Sequence, residues 1–357
     1  MLNSILNARL TACFAASTCI ALMCGPGLSQ AAEMYQLEGS ITIPSAGEPR
    51  WDYIDFDATT NQLFIGMRDD GMKVVDVTGK RPVRTVENSE GAGGVVVAPD
   101  VDRGYSVNQD GTVTVFELSS LKVLDHPKIE EGTLNSGFYE PFTKKVVILT
   151  GDRPETSAFI SLDPKTGKVL GRTDFKSKKL DTPMADGTGL IYVPDRANGT
   201  IIKIDAKDMK TLETWPAGDC AQPIGLDIDK ANKRILVSCR TKPIFIAMDA
   251  NTGKIVSTLP IGRNTDGLIF DHDTKLAVSS NGDDANLSVI RQKSADEYEV
   301  IETTGSRPMA RTMAYDAKTK KVYVITAGFS FLTVPGKKEP TRVFHKDSFT
   351  LLTYVRK

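Results

Sequence analysis

The sequence predicts an all-β fold, a seven-bladed β-propeller of four-stranded blades, and three observations predict it. The stretch Ile224 to Gly262 holds four short β-type runs, Ile224 to Ile228, Arg234 to Ser238, Ile244 to Met248 and Ile255 to Leu259. Asp/Asn-rich separators divide them, Asp229 to Asn232 and Asp249 to Lys254. These are turn residues, Gly supplying positive φ and Asp/Asn local side-chain bonds. Segments of the same build recur along the chain, and a unit of roughly 40 to 45 residues with four strands is the repeat of a propeller blade. Strand positions are apolar nearly throughout, as expected when neighbouring blades cover both faces.

The N-terminus reads as a processing signal. Arg9 is the only charge before an apolar stretch from Leu10 to Met23, and Ser29-Gln30-Ala31 offers small residues for cleavage after Ala31. A membrane anchor is disfavoured, because about 14 apolar residues fall short of the ~20 that span a bilayer. A lipoprotein reading at Cys24 is disfavoured by the bulk of Met23 before it. The expected mature chain, residues 32–357, is therefore periplasmic or secreted, with no membrane span.

Taking the acid after each first strand as a register mark, blade one starts at Trp51, blade two at Gly93 and blade three near Asn135. Blade four starts near Asp181, blade five at Ile224, blade six at Asp266 and blade seven at Arg311. The last blade lacks a strand, which Tyr35 to Ile43 would supply. Such closure removes the exposed edge of an open array. The stretch from Gly328 to Asp347 has no obvious strand pattern and is expected as a loop, a candidate lid carrying Phe329, Phe331, Lys337, Lys338, Arg342 and His345.

With 357 residues, 40% apolar and 25% charged, the chain has ordinary globular composition, and the repeat favours one domain over two. A net charge of −1 recommends neither nucleic acid nor an anionic membrane as partner. Once Cys13, Cys19 and Cys24 leave with the signal, Cys220 and Cys239 remain, at the same end of one expected hairpin. An exported chain with two thiols is a disulfide candidate, the alternative being two inert buried thiols. Neither a CxxC pair nor a CxxCH haem site is present.

The runs ILVSC, GLIYVPD and KVYVITA, with I-x-x-D-x-x-T-G-K-I/V after them, resemble the YVTN repeat of the YncE-like family of exported seven-bladed propellers. The similarity covers residues 34 to 357. It departs from the named motif in most blades, since ILVSC and YVPDR stand where YVTN would. The resemblance implies the fold. One branch of the family is associated with single-stranded DNA, and more distant relatives include lactonases and quinoprotein-like enzymes, so the framework alone does not choose an activity.

Propeller ligands usually sit at one mouth of the central channel. The positions opening the first strands are Asp52, Gly93, Asn135, Asp181, Ile224, Asp266 and Arg311, with Trp51 as an apolar rim. Just past the second strands come Arg68, Asn108, Asp152 with Arg153, Arg196, Arg240 and Asn281. The planar fork of arginine suits carboxylate or phosphate, so this mouth is expected to bind a small anionic ligand or a protein carboxylate without catalysis. The competing reading is that the arginines only pair with neighbouring aspartates. An alternative is a calcium-assisted hydrolase or lactonase on Asp52, Asp181 and Asp266; a second is single-stranded nucleic-acid binding.

No cofactor and a monomer are expected under the leading reading. His126, His272 and His345 lie away from the mouth positions, which argues against a Ser/His/Asp triad or an imidazole metal site. Gly282 to Asn286 lacks the closing glutamate of a calcium loop, and Gly91 to Gly94 lacks the helix of a phosphate loop.

Overall fold

The first strands of all seven blades surround one axis. The computed structural model describes residues 34–357, which form one compact unit; the cleavage expected after Ala31 and the three N-terminal cysteines lie outside them. Blade one comprises Ile54–Asp57, Gln62–Gly66, Met72–Asp76 and Arg84–Thr85, and blade five Pro223–Asp229, Arg234–Cys239, Ile244–Asp249 and Ile255–Pro260. Blades two, three, four and six open with Ala92–Ala98, Leu134–Glu140, Met184–Ala185 and Thr265–Asp271. Each is a four-stranded antiparallel meander in chain order.

Blade seven closes the ring. Its order is Met313–Asp316, Lys321–Thr326, Thr350–Arg356 and then Tyr35–Thr42, so the outermost strand comes from the other end of the chain. Tyr35 pairs with Arg356 and Thr42 with Thr350. Met34 and Lys357 exchange backbone hydrogen bonds of 2.7 and 3.0 Å beyond the last pair.

In six of the seven blades an acid at the end of the first strand binds its own turn. Asp57 accepts from Thr59 and Thr60, Glu140 from Thr143, Asp271 from Thr274 and Asp316 from Thr319. Asp249 likewise accepts the backbone N–H groups of Asn251 and Thr252 in the D-x-x-T-G-K turn. These Asx-type turns satisfy backbone donors that the strands cannot reach. That is why an acid recurs at fixed register.

Burial explains the apolar runs. Ile235 and Val237 pack with Ile201 and Tyr192 of blade four, whereas Leu236 between them packs with Leu268 and Phe270 of blade six. Successive residues thus enter two different cores. Seven such clusters join blades in neighbouring pairs, the one between blades seven and one uniting Tyr323 and Leu351 with Ile54 and Leu63.

Cys220 and Cys239 form the expected disulfide, Cα atoms 5.2 Å apart, tying the approach to the first strand of blade five to the end of its second. The stretch after Gly328 departs from the loop expectation. Phe329–Leu332 pairs with Thr341–Phe344 as a small hairpin, because Phe329 and Phe344 alternate inward against the core of blades seven and one. No helix among the described residues is long and apolar enough to cross a membrane.

Candidate functional site

The structure brings nine of the fifteen residues expected at the mouth to one polar cavity of about 240 Å³: Asp52, Arg68, Asn135, Asp152, Asp181, Arg196, Arg240, Asp266 and Arg311. They converge because strand openings and the loops after second strands lie on the same face of an antiparallel blade. Arg68 donates to Asp52 at 2.5 Å. Arg240 and Arg311 both pair with Asp266, the latter through Nε at 2.8 Å, while Arg196 Nη1 is 3.8 Å from Asp181. Guanidinium–carboxylate pairing is therefore real here, but it leaves a cationic remainder. Arg68, Lys179, Arg196, Arg240 and Arg311 face Asp52, Asp152, Asp181 and Asp266, five cations against four carboxylates.

Of the other six, Ile224 lines the channel below, Gly93 carries no side chain, and four lie elsewhere. Trp51 is buried in the core between blades seven and one, its ring 4.8 Å from Phe344 and 5.2 Å from Phe349. Asn108 and Asn281 are fully buried and turn back into their own blades, Asn108 donating to Thr112 and Thr114 and Asn281 to Asn286 and Ser288. Their amides hold the start of the third strand. Arg153 reaches away from the axis to the carbonyl of Glu131 and to within 3.8 Å of the Glu130 carboxylate. The hairpin that carries Phe331, Lys337 and Lys338 is not among the cavity's lining residues.

Among the lining residues that escaped sequence reasoning, Tyr53 and Lys179 link the mouth across its axis. Tyr53 Oη crosses the axis from blade one and donates to Asp181 Oδ1 at blade four, at 2.7 Å, while Asn135 Nδ2 donates to the same phenol at 3.3 Å. Lys179 Nζ extends this chain, donating to Asn135 Oδ1 at 3.1 Å and lying 3.3 Å from Asp152. A bulky ring fits at this level because other blades keep small residues there. A Cβ at Gly94 would stand 2.9 Å from Ser136 Cα, and one at Gly225 2.8 Å from Leu268 N. Tyr53 lines both this cavity and the channel below it, and so divides them. A phenol among small residues at one register position was the available signal.

Burial pushes the Asp52 carboxyl up to about 6, against the opposing pull of Arg68, with Asp266 and Asp181 adding repulsion. Asp181 also rises, from burial and then from Asp266, although Tyr53, Lys179 and Arg196 oppose it. In the channel below, burial lifts Asp55 and Asp227 to about 6 as well. Asp55 is exposed to the channel, but the surrounding blades wall it and weaken its hydration.

A stability prediction follows with a definite sign. These carboxyls are neutral in both states below their unfolded value near 4, and the cost of their raised folded-state value builds between about pH 4 and 6 and is complete above that. Asp76 acts oppositely: its hydrogen bonds to Arg81 and Thr78 hold it near 2, so its contribution stays intact until pH drops below about 4. The melting temperature should therefore rise as pH is lowered from neutrality to about 5, and Asp55→Asn should flatten the rise. A scan in which wild type melts lower at pH 5 than at neutrality would contradict these assignments.

Among the described residues, no three His, Cys, Asp or Glu side chains are grouped to hold one metal ion. Asp52, Asp181 and Asp266 each meet a guanidinium instead. No family model and no curated protein matches the chain. In shape it is similar to a chain of the solved "Crystal Structure of Mitotic Checkpoint Complex", with a TM-score of 0.72 and 13% identity over 98% of this chain and 99% of that one. At that identity the likeness shows the propeller fold alone.

Proposed function

We propose that this chain is an exported, YncE-like binding module that captures a small anionic ligand, or the carboxylate of a protein partner, at the mouth guarded by Arg68, Lys179, Arg196, Arg240 and Arg311. The observation that carries the reading is the surplus of cations around a cavity of about 240 Å³. Several donors aimed at one small volume match an oxygen-rich anion, and nothing there resembles a nucleophile with its base. The disulfide accords with an oxidising compartment. A propeller of similar shape stands in a solved complex, which supports partner binding as a use of this fold.

Titration calorimetry with succinate, inorganic phosphate and calcium tests the reading. The wild type should bind an anion, and Lys179→Gln with Arg196→Gln should weaken it at least about tenfold, the loss expected when charge-assisted hydrogen bonds go. These two cations are chosen because their pairs are the longest at the mouth, 3.3 and 3.8 Å, so folding should survive. Anion binding unchanged in the double variant would defeat the proposal. Stoichiometric calcium with ester hydrolysis would favour the hydrolase alternative, and salt-dependent oligonucleotide retention the nucleic-acid one.

A further inference from the structure

Below Tyr53 the axis opens into a second cavity of about 500 Å³, within the range of small-molecule sites. One register position, two residues before the turn acid, places a residue from every blade on its wall. Five are apolar: Val96, Phe138, Met184, Ile269 and Ala314. The remaining two are Asp55 in blade one and Asp227 in blade five. Blades one and five are three apart in a ring of seven, as far across the axis as two blades can be.

Neither carboxylate is paired with a cation among the described residues. Asp55 Oδ1 accepts only the N–H of Phe56 at 2.8 Å, and its Oδ2 accepts no hydrogen bond. Asp227 accepts the N–H groups of Ile228 and Phe270, both at 2.7 Å, which ties blades five and six, and Lys230 acts on it only from a distance, without forming an ion pair. Every carboxylate of the mouth above, by contrast, meets a guanidinium or ammonium group. An unpaired negative charge in an apolar enclosure is expensive unless something cationic joins it. Asp55 contacts solvent through the channel, so a ligand entering by the far mouth can reach it.

We propose that this lower channel binds a small organic cation, an alkylammonium whose charge lies between Asp55 and Asp227 and whose hydrocarbon body lies against the apolar wall. The ammonium supplies N–H donors to Asp55 Oδ2, and the chain fills space that two isolated carboxylates cannot. The site lies below the anion-binding mouth, with Tyr53, Asp181 and Asp266 at the boundary of the two.

The test is calorimetry with hexylamine at about pH 8, where the amine is charged and both carboxyls are ionised. Hexanol and hexanoate report the apolar body without the charge and with it reversed. Hexylamine is expected to bind at least about tenfold tighter than either, and Asp55→Asn and Asp227→Asn should each remove about tenfold or more. Asp55→Asn retains the bond to Phe56 and removes a charge that meets no cation, so its folding is not at risk. No detectable hexylamine binding up to about 10 mM, equal binding of hexanol, or undiminished binding in both variants would each overturn the proposal. Anion affinity at the mouth should be the same in both variants, which keeps the two sites' outcomes distinguishable.

Discussion

Asp266→Asn is expected to destabilise the protein by about 3 kcal/mol, as removal of one partner from a buried ion group does. The Asp266 side chain is about 10% exposed and receives two guanidiniums, whose own side chains are 17% and 29% exposed. An asparagine leaves both without a counter-charge. Some of the loss is returned, because Asp266 also repels Asp52 and Asp181. Denaturant unfolding at neutral pH would measure the effect, with Arg311→Gln as comparison, since that variant leaves Arg240 on the aspartate. A loss for Asp266→Asn no greater than for a surface substitution would mean that the arginines are hydrated and the mouth is more open than described.

Removing the disulfide should have an effect of similar size. Cys220 and Cys239 are separated by 19 positions, and closing a loop of that length restricts the unfolded chain by about 3 kcal/mol. Both residues are fully buried in the core shared by blades four and five, so alanine is the cleaner replacement, since serine would add buried hydroxyls. The Cys220→Ala, Cys239→Ala protein should melt several degrees below wild type, and wild type in reductant should approach it. Equal melting of oxidised and reduced wild type would show that the bridge restrains nothing.

Much of this architecture was legible before any coordinates. The acids Asp57, Glu140, Asp229, Asp271 and Asp316 marked where first strands end, because each must hold its own turn. Counting back from them found the level of the mouth, and nine named residues met there. The failures share a cause. Asn108 and Asn281 stand at the right height, but their side chains turn into the blade to hydroxyls at the start of its third strand. Arg153 stands there too and turns outward. The hairpin around Gly336 was missed although F-S-F-L and T-R-V-F alternate, since the segment between them hid the pairing.

Local chemistry, strand period and turn acids, was enough to establish seven blades, the shared closing blade, the cysteine pair and the height of each residue along the axis. These depend on contacts between near neighbours in sequence or on a regular repeat. Which side chains meet across the axis was decided only by the closed ring. Tyr53 reaches Asp181 over a separation of 128 positions, and no periodicity specifies a contact between blades that touch only by pointing at the same empty centre. The unpaired state of Asp55 and Asp227 belongs to the same class: a missing counter-charge is a property of everything around a group.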